Sequence, residues 1–410
     1  MRELLPVEIT RNAAFCYNFY MANKTVRLKR GKEKPIRNKH HWIFSGAVES
    51  LPTFENGDLL SVLSFDNEIL GTAYFNTKGS IIGRMVAFGQ EEALAAIARN
   101  IKQAAELRHS LFADSETDSY RLINAEGDCL PGLVVDKYAD ALCMQISTKG
   151  MERLRADLIA ILTKIFKPTA LYEKSAIPSR KEEGLGDFKA LHYGTLPAEI
   201  KIKENGLFFF VSIEEGQKTG FFLDQREMRK EIRHLARGKR VLNAFSYTGG
   251  FTVSAAAGGA VSVDSVDVSE KALNHGERNL ELNRLSFIPC HFFQEDVFQF
   301  LREKSLPYDL VILDPPAFVK RQKDLIQGCR GYKDINRLAM LKMPPKSFLL
   351  TSSCSYYVDE SLFQKVIFQA ATEAGRMAKI IGRHKLAPDH PVNLCHPEGD
   401  YLKSLLLYLE

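Results

Sequence analysis

The chain has 410 residues, of which 45% are hydrophobic and 26% charged, a composition typical of a globular protein with two or three domains. No apolar run approaches the length of a membrane-spanning helix, and the amino terminus lacks the apolar core of a signal peptide. Seven cysteines without a CxxC pair or a zinc-ligand spacing predict a reduced, cytoplasmic protein without a metal. The net charge of +5 permits a nucleic-acid partner but does not establish one.

Residues 1–22 fit poorly with the rest of the chain and are interpreted as a possible extension preceding a natural start at Met21. Residues 23–90 predict a small all-β module, because short strand-like runs alternate there with glycine turns. Positive charge is dense between Lys24 and Lys39, which favours either a solvated edge or a phosphate-contacting patch. The candidate RNA contacts in this stretch are Lys29, Arg30, Lys32 and Arg37.

Residues 91–198 predict a connecting helix followed by a compact α+β domain. The helix is expected between Gln90 and Phe112, where apolar residues recur at 3.6-residue spacing. A second helix is expected from Met151 to Phe166, and Pro168 ends it. Strands are expected on both sides of this second helix.

Residues 199–410 form the third predicted domain. Helix and strand alternate from about Arg226, which is typical of a parallel sheet. Two apolar runs, VILDPPAF (311–318) and FLLTSSCS (348–355), each end in turn-forming residues. Because ligands lie at the carboxyl ends of parallel strands, we expect Asp314 and Cys354 to face one crevice.

A turn after the first strand of this sheet, residues 246–250, contains Gly249 and Gly250, which either bring backbone close to a ligand or simply form a turn. Asp267, rather than Asp264, ends the second strand at a position suited to ribose hydroxyls. Asp296 could meet an adenine amino group or cap a helix. A phosphate-binding GxxxxGKS motif is absent from the sequence, so S-adenosylmethionine is the economical choice of nucleoside.

Cysteine and aspartate at neighbouring strand ends suit methylation of a pyrimidine at C5. A thiolate adds to C6 and makes C5 electron-rich, while an acid near N3 manages the developing charge. Cys354 would be the nucleophile and Asp314 the acid, although a buried cysteine is often only structural. The candidate cations for lowering the thiol pKa are Lys320, Arg330 and Lys333, in a segment (318–336) expected to be a basic loop beside the site.

The chain resembles the bacterial 23S rRNA (cytosine-C5) methyltransferases, which belong to the class I S-adenosylmethionine-dependent methyltransferases. The resemblance covers residues 24–410 and rests on the motifs HHWIFSGA (40–47), GQKTGFFLDQR (216–226), VLNAFSYTGGF (241–251), VDVSEKAL (266–273), DPPAF (314–318), CRGYKDIN (329–336), SCS (353–355) and PDHPV…PEGDYLK (388–403). Pro344-Pro345-Lys346 departs from the Gly-Gly turn that is usual in these enzymes.

The resemblance implies an N-terminal β-barrel-like PUA domain that docks structured RNA, a middle α+β domain and a Rossmann-like α/β methyltransferase domain. It implies that Cys354 is the nucleophile, that Asp314 is the strand-end aspartate, and that 23S rRNA is the partner, with a possible homodimer. The implied cofactor-binding residues are Asp224, Gln225, Asn243, Phe245, Ser246, Tyr247, Gly249 and Asp267, to which the strand pattern adds Asp296. Lys320 and Arg330 join the RNA-binding candidates. Two alternatives remain: methylation of an exocyclic amine or ring nitrogen of an rRNA base, and a non-catalytic RNA-binding assembly factor.

Overall fold

The structure is a computed structural model that describes residues 24–113 and 116–410, so the predicted extension at residues 1–22 lies outside the described residues. The described strands form sheets of six, five and seven strands together with a two-stranded hairpin. None of the described helices is long and apolar enough to cross a membrane.

The first sheet comprises six strands in the order β2-β6-β5-β4-β1-β3. Its strands are β1 Thr25–Leu28, β2 Trp42–Phe44, β3 Val48–Ser50, β4 Leu59–Leu63, β5 Ile69–Phe75 and β6 Ile81–Phe88, with the short helix α1 at Lys34–Arg37. Only β1 and β4 pair in parallel, and the other pairs are antiparallel. Side chains such as Val26, Ile43 and Val62 fill its own small core, which marks it as a separate unit.

The second sheet has five strands in the order β11-β10-β9-β8-β7. The elements are α2 Ala93–Phe112, β7 Tyr120–Asn124, β8 Leu133–Tyr138, β9 Ala141–Ile146, α3 Lys149–Arg153, α4 Arg155–Phe166, β10 Ala170–Ser175, α5 Ser179–Glu182 and β11 Phe188–Gly194. The carboxylate of Glu92 caps α2 by accepting the N–H of Ala95 at 2.7 Å. The single helix predicted over residues 151–166 is wrong in one respect, because Leu154 leaves the helical region at ψ 6° and separates α3 from α4.

The third sheet has seven strands in the order β16-β15-β14-β17-β18-β20-β19. Its strands are β14 Arg240–Ala244, β15 Ser262–Asp267, β16 Cys290–Gln294, β17 Leu310–Leu313, β18 Ser347–Ser353, β19 Ala378–His384 and β20 Lys403–Leu409. The first five strands in that order run parallel, and β20 and β19 complete the edge in antiparallel pairing. The chain order reverses between β14 and β17, which is where open α/β sheets bind ligands.

Helices cover both faces of the third sheet, so the predicted Rossmann-like architecture is confirmed. One face carries α6 Arg226–Leu235, α7 Gly250–Ala257 and α8 Glu270–Leu282, and the other carries α9 Val297–Glu303, α10 Leu325–Lys342 and α11 Glu360–Glu373. The hairpin of β12 (Ile200–Glu204) and β13 (Leu207–Val211) joins the first face. There the backbone N–H of Phe210 donates to Oδ1 of Asn279 at 2.8 Å.

The segment from Phe318 to Asn336 is not the predicted loop. It contains a 3₁₀ turn at Gln322–Asp324 and most of helix α10. Tyr332, Ile335 and Ala339 repeat at helical spacing and are fully buried against the sheet, so tertiary packing holds this segment in a helix. Strand β19 was also missed, because most of its side chains are exposed and it lacks the buried alternation that identifies a strand.

The segment after β19 ties the domains together. The buried carboxylate of Asp389 accepts Nη2 of Arg226 and the backbone N–H of Arg121, both at 2.8 Å. Nη2 of Arg108 donates to the carbonyl oxygen of Asp389 at 2.7 Å. Because removal of one partner would leave a buried charge unpaired, this cluster fixes how the middle domain sits against the third sheet.

Candidate active site

A pocket of about 380 Å³ opens at the carboxyl edge of the third sheet, beside the ends of β14 and β17. The residues predicted from sequence that line it are Asp224, Gln225, Phe245, Ser246, Tyr247, Asp267, Asp296, Asp314 and Cys354. The two candidate catalytic residues and most of the candidate cofactor residues therefore meet in one cavity.

Cys354 and Asp314 lie at the ends of neighbouring strands. Strands β17 and β18 are parallel, with Leu313 opposite Thr351, so both chains leave the sheet at the same edge. The Sγ of Cys354 lies 4.0 Å from the carbonyl oxygen of Pro315, the residue that follows Asp314. The thiol is thus in contact with the Asp-Pro-Pro turn.

The thiol of Cys354 is protonated in the free site. Burial raises its pKa to about 11, the carboxylates of Asp314 and Asp224 reinforce this, and the ammonium of Lys218 opposes it. The sequence-based choice of cation was wrong. Lys333 binds Glu373 at 2.6 Å, and Lys320 and Arg330 are exposed, whereas the cation whose charge lowers the thiol pKa most is Lys218.

Asp314 is a carboxyl group that titrates near neutral pH. Burial raises its pKa to about 7, and the charge of Asp224 adds to the effect, while Lys218 and Arg229 oppose it. The Nε2 of Gln225 donates to Oδ1 of Asp314 at 2.9 Å and orients the group. Asp314 can therefore donate a proton or a hydrogen bond at a pH where an ordinary aspartate is ionised.

Asp224 is the contrasting carboxylate. Burial alone would raise its pKa, but the charges of Lys218 and His390 and the hydrogen bond from Tyr401 hold it well below its usual range. Its Oδ2 accepts the hydroxyl of Tyr401 at 2.6 Å and Nζ of Lys218 at 3.3 Å. Its Oδ1 is buried and has no hydrogen-bond partner among the described residues, which leaves an acceptor for a bound ligand.

Sequence reasoning did not assign Lys218 or Tyr401 to the site. Both lie in motifs that carry the resemblance, GQKTGFFLDQR and PEGDYLK, and that was the available signal. Their functional meaning depends on contacts between segments that are 183 residues apart, from Lys218 to Tyr401.

The turn after β14 is strained, and neighbouring groups hold it in place. Phe245 and Tyr247 have φ values of +62° and +47°, which residues with side chains adopt rarely. The backbone N–H of Tyr247 donates to Oδ2 of Asp267 at 2.9 Å, and that of Ser246 donates to the carbonyl of Val266 at 3.0 Å. The phenol oxygen of Tyr247 accepts the N–H of Gln217 at 2.7 Å, which anchors the segment carrying Lys218.

Asp267 is the last residue of β15, and Asp296 follows the neighbouring strand β16. Their carboxylates line the far side of the pocket. Each oxygen of Asp267 accepts one backbone N–H, from Tyr247 at 2.9 Å and from Ser269 at 3.0 Å, and each retains a free lone pair. Asp296 caps α9 by accepting the N–H of Gln299 at 3.0 Å, which confirms the helix-cap interpretation, and it also lines the pocket, where contact with adenine stays a prediction. The two acceptors and the ring of Phe298 line the same pocket.

Asn243 and Gly249 do not line the pocket. The Nδ2 of Asn243 donates to Oγ1 of Thr252 at 2.9 Å within the core. Gly249 has φ +73°, and a Cβ there would lie 3.0 Å from the Cα of Gly276. Both residues stabilise the turn without contacting the pocket. Asn243 bonds to Thr252 of α7, and Gly249 leaves room for the close approach of α8.

The RNA-binding candidates of the first sheet are exposed, and most already have a contact. Lys29 donates to the carbonyl of Gly46 at 3.1 Å, Arg30 lies over the ring of Phe65 at 5.3 Å, and Arg37 binds Glu68 at 2.6 Å. Lys32 lines a groove of about 460 Å³, and the exposed ring of Phe44 lines the same groove. Arg37 is therefore the least available of the four for phosphate.

His40, His396 and Glu398 bring possible metal-ligating atoms within 4.8 Å of one another. The Nδ1 of His40 accepts the backbone N–H of Trp42 at 3.2 Å, which leaves the proton on Nε2 to donate to Glu398 at 3.3 Å. This arrangement is a hydrogen-bonded contact between the first sheet and the segment before β20.

A doubly wound sheet, with a pocket at its carboxyl edge that strand-end carboxylates and a thiol line, fits the class of the S-adenosylmethionine-dependent methyltransferases. A family profile of that description matches residues 192–392, and a PUA-like domain profile matches residues 26–88, which confirms the predicted domain types. Ribosomal RNA large subunit methyltransferase I of Enterobacter sp. (strain 638) is 39% identical over 92% of this chain and 97% of its own length. The protein of that name from Pseudoalteromonas atlantica is 41% identical over 93% of this chain and 98% of its own length. The chain belongs to the ribosomal RNA large subunit methyltransferase I family.

Solved structures agree with this assignment. A Streptococcus mutans protein described as a SAM-dependent methyltransferase is 25% identical, with a TM-score of 0.80 over 94% of this chain and 99% of its own. A methyltransferase crystallised with SAH has a TM-score of 0.82 at 25% identity, with the same coverage of both chains. The cofactor of this chain is S-adenosylmethionine, as predicted.

Proposed function

We propose that the protein forms 5-methylcytosine in 23S ribosomal RNA through a transient bond between Cys354 and C6 of the base. The observation that carries the proposal is the 4.0 Å contact between Sγ of Cys354 and the carbonyl of Pro315, beside Asp314 in one pocket. Amine or ring-nitrogen methylation needs no thiol at that position. The names of the relatives and the PUA-like domain support ribosomal RNA of the large subunit as the substrate.

The mechanism begins with loss of the thiol proton of Cys354 to water, and the charge of Lys218 favours the resulting thiolate. The thiolate adds to C6 of cytosine, while protonated Asp314 donates to N3 and neutralises the charge that develops there. S-adenosylmethionine, when bound, supplies a methyl group made electrophilic by its sulfonium. A base then removes the C5 proton and passes it to water, departure of the thiolate from C6 restores the C5–C6 double bond, and Asp314 recovers its proton from N3.

The cofactor would extend across the pocket between the two carboxylate groups. Asp267 would accept from the ribose hydroxyls and Asp296 from the adenine amino group, with Phe245, Ser246 and Tyr247 forming the intervening wall. At the other end, the unpartnered Oδ1 of Asp224 and Oε1 of Gln225 offer acceptors for the ammonium of the methionine portion. A cofactor donor would remove the free-energy cost of leaving these buried acceptors unpaired.

RNA contact would involve two surfaces. Lys29, Arg30, Lys32 and Arg37 lie between β1 and β2, and Lys320 and Arg330 lie in the segment that follows the Asp-Pro-Pro turn. Lys320 and Arg330 form no ion pair with any residue that the structure describes, so their charges are available to phosphates. A flipped cytosine is required in either case, because the thiol is largely buried.

The test is methylation of unmodified 23S ribosomal RNA by the purified protein, followed by identification of the nucleoside by mass spectrometry. We expect 5-methylcytosine. A nucleoside methylated on nitrogen would support the amine or ring-nitrogen alternative, and no methylated nucleoside would support the assembly-factor alternative. RNA containing 5-fluorocytidine should form a denaturation-resistant complex with the protein, because fluorine cannot leave C5 as a proton does, and Cys354→Ala should form none.

A further inference from the structure

Two exposed tyrosines lie two and three residues after the candidate nucleophile Cys354. Tyr356 and Tyr357 are 53% and 39% exposed, although tyrosine usually buries much of its ring. Their ring centroids are 5.3 Å apart and the planes meet at 85°, so the pair presents two faces at a right angle. Both residues lie in the turn between β18 and α11, at the pocket edge of the sheet.

The turn that carries these rings is firmly held. Fully buried Ser355 accepts the N–H of Val319 on Oγ at 3.1 Å, and its carbonyl accepts Nζ of Lys403 at 2.8 Å. On the other side of the pair, Val358 is fully buried. Because the backbone is fixed on both sides, a partner that contacts the rings would lose little free energy in ordering them.

The charged residues near the two tyrosines favour a polyanionic partner whose aromatic rings are exposed for stacking. Lys320 and Lys323 are exposed beyond the Asp-Pro-Pro turn and form no ion pair with the described part of the chain. Burial and then the charge of Glu398 raise the pKa of Tyr356, and Glu398 accepts a hydrogen bond from His40 of the PUA-like domain. The bond from the N–H of Val319 to Ser355 holds this cationic segment beside the turn that carries the tyrosines.

We propose that Tyr356 and Tyr357 form a stacking platform for unpaired nucleotides that flank the target base, so that the substrate is a single-stranded segment of RNA. Duplex RNA presents only base edges in its grooves, whereas an aromatic ring stacks on a base face that is free only in an unpaired nucleotide. The proposal rests on the proposed function for the identity of the substrate.

The test compares steady-state kinetics of the full chain on ribosomal RNA for Tyr356→Ala, Tyr357→Ala and the two Tyr→Phe variants. Loss of a stacked base is expected to raise KM for RNA about fivefold or more in at least one alanine variant. The phenylalanine variants should keep a near-normal KM, and the dissociation constant for S-adenosylmethionine should not change. Phe287→Ala is the matched control, since Phe287 is 76% exposed and precedes β16 at the opposite edge of the sheet.

A second measurement uses the unaltered protein. A single-stranded fragment containing the methylated base should be a substrate, and the same fragment annealed to its complement should not. Unchanged KM in both alanine variants, or equal methylation of the duplex, would overturn the proposal. If the product is not 5-methylcytosine, the proposed function fails, but the comparison of KM values still decides whether the platform exists.

Discussion

The Sγ of Cys354 and the carbonyl oxygen of Pro315 are 4.0 Å apart, although 38 residues separate them in the chain. The contact exists because β17 and β18 are parallel neighbours that end at the same edge, where Pro315 and Pro316 cannot donate to the sheet ladder. The chain must leave the sheet there, and Asp314 turns towards the crevice that contains the thiol.

The first prediction concerns the nucleophile. Cys354→Ala should lower the rate of 5-methylcytosine formation by about three orders of magnitude or more, because no other pocket-lining group can replace the thiolate. Binding of S-adenosylmethionine, measured by calorimetry, should be retained. Cys395→Ala is the control, since Cys395 is exposed and outside the pocket. Near-normal methylation by the Cys354 variant would refute the covalent mechanism.

The second prediction concerns the cation that faces the thiol. Lys218→Met should raise the pKa of Cys354 further above its ordinary value, because the charge that opposes the burial effect is removed. At a fixed pH near 8, alkylation of Cys354 by iodoacetamide should slow by about tenfold or more. Peptide mass spectrometry can follow Cys354 separately from exposed Cys395, which should react at an unchanged rate.

Lys333→Met is the matched control for that variant. Lys333 was the sequence-based candidate, but its ammonium binds Glu373 on the helical face of the domain. Its loss should leave the alkylation rate of Cys354 as it is. Equal effects of the two substitutions would show that the thiol responds to overall charge and not to Lys218.

The strand ends could be predicted from sequence, and the cation could not. Asp314 and Cys354 each follow a buried apolar run, and that local pattern identifies a strand and its end. Lys218 belongs to a segment between β13 and α6 with no such pattern. It reaches the site because Tyr247, 29 residues later, binds the N–H of Gln217. Side-chain electrostatics of this kind depend on long-range packing.

The prediction for helix α10 was wrong although the local sequence pattern contained the signal for a helix. The basic and polar residues from Phe318 to Asn336 favoured a loop, whereas the buried stripe of Tyr332, Ile335 and Ala339 determines the helix. The charged residues lie on the outer side of the helix and do not determine the backbone conformation. Composition was thus a poor guide there, and apolar periodicity would have been a better one.

The third prediction is a pH dependence of stability that comes from Asp314. Its pKa is about 7 in the folded protein and close to the ordinary 3.8 when unfolded, so the folded state binds more protons between these values. The stability that Asp314 contributes is therefore fully present below about pH 4 and is lost as the pH rises through about 7. Asp314→Asn, which cannot ionise, should melt at a higher temperature than the unaltered protein at pH 8.

The difference in melting temperature between Asp314→Asn and the unaltered protein should shrink towards pH 5, which calorimetric or fluorescence melting at several pH values can show. Asp309→Asn provides a comparison of opposite sign. Burial alone would raise the pKa of Asp309, but the hydrogen bonds and charge of Arg240 hold it below its usual value. A difference in melting temperature between Asp314→Asn and the unaltered protein that does not change with pH would contradict the assigned pKa.

The fourth prediction separates two aspartates of the same strand. Asp267→Ala should weaken S-adenosylmethionine binding by about tenfold or more, because the hydrogen bonds expected from the ribose go to a charged acceptor. Loss of the bond from the N–H of Tyr247 to Asp267 would also relax the strained turn. Asp264→Ala should leave the dissociation constant unchanged, since Asp264 binds the hydroxyl of Tyr308 at 2.7 Å and Nδ1 of His291 at 2.8 Å, outside the pocket. Calorimetric titration of both variants with S-adenosylmethionine decides the matter, and equal affinities for the two would place the ribose elsewhere.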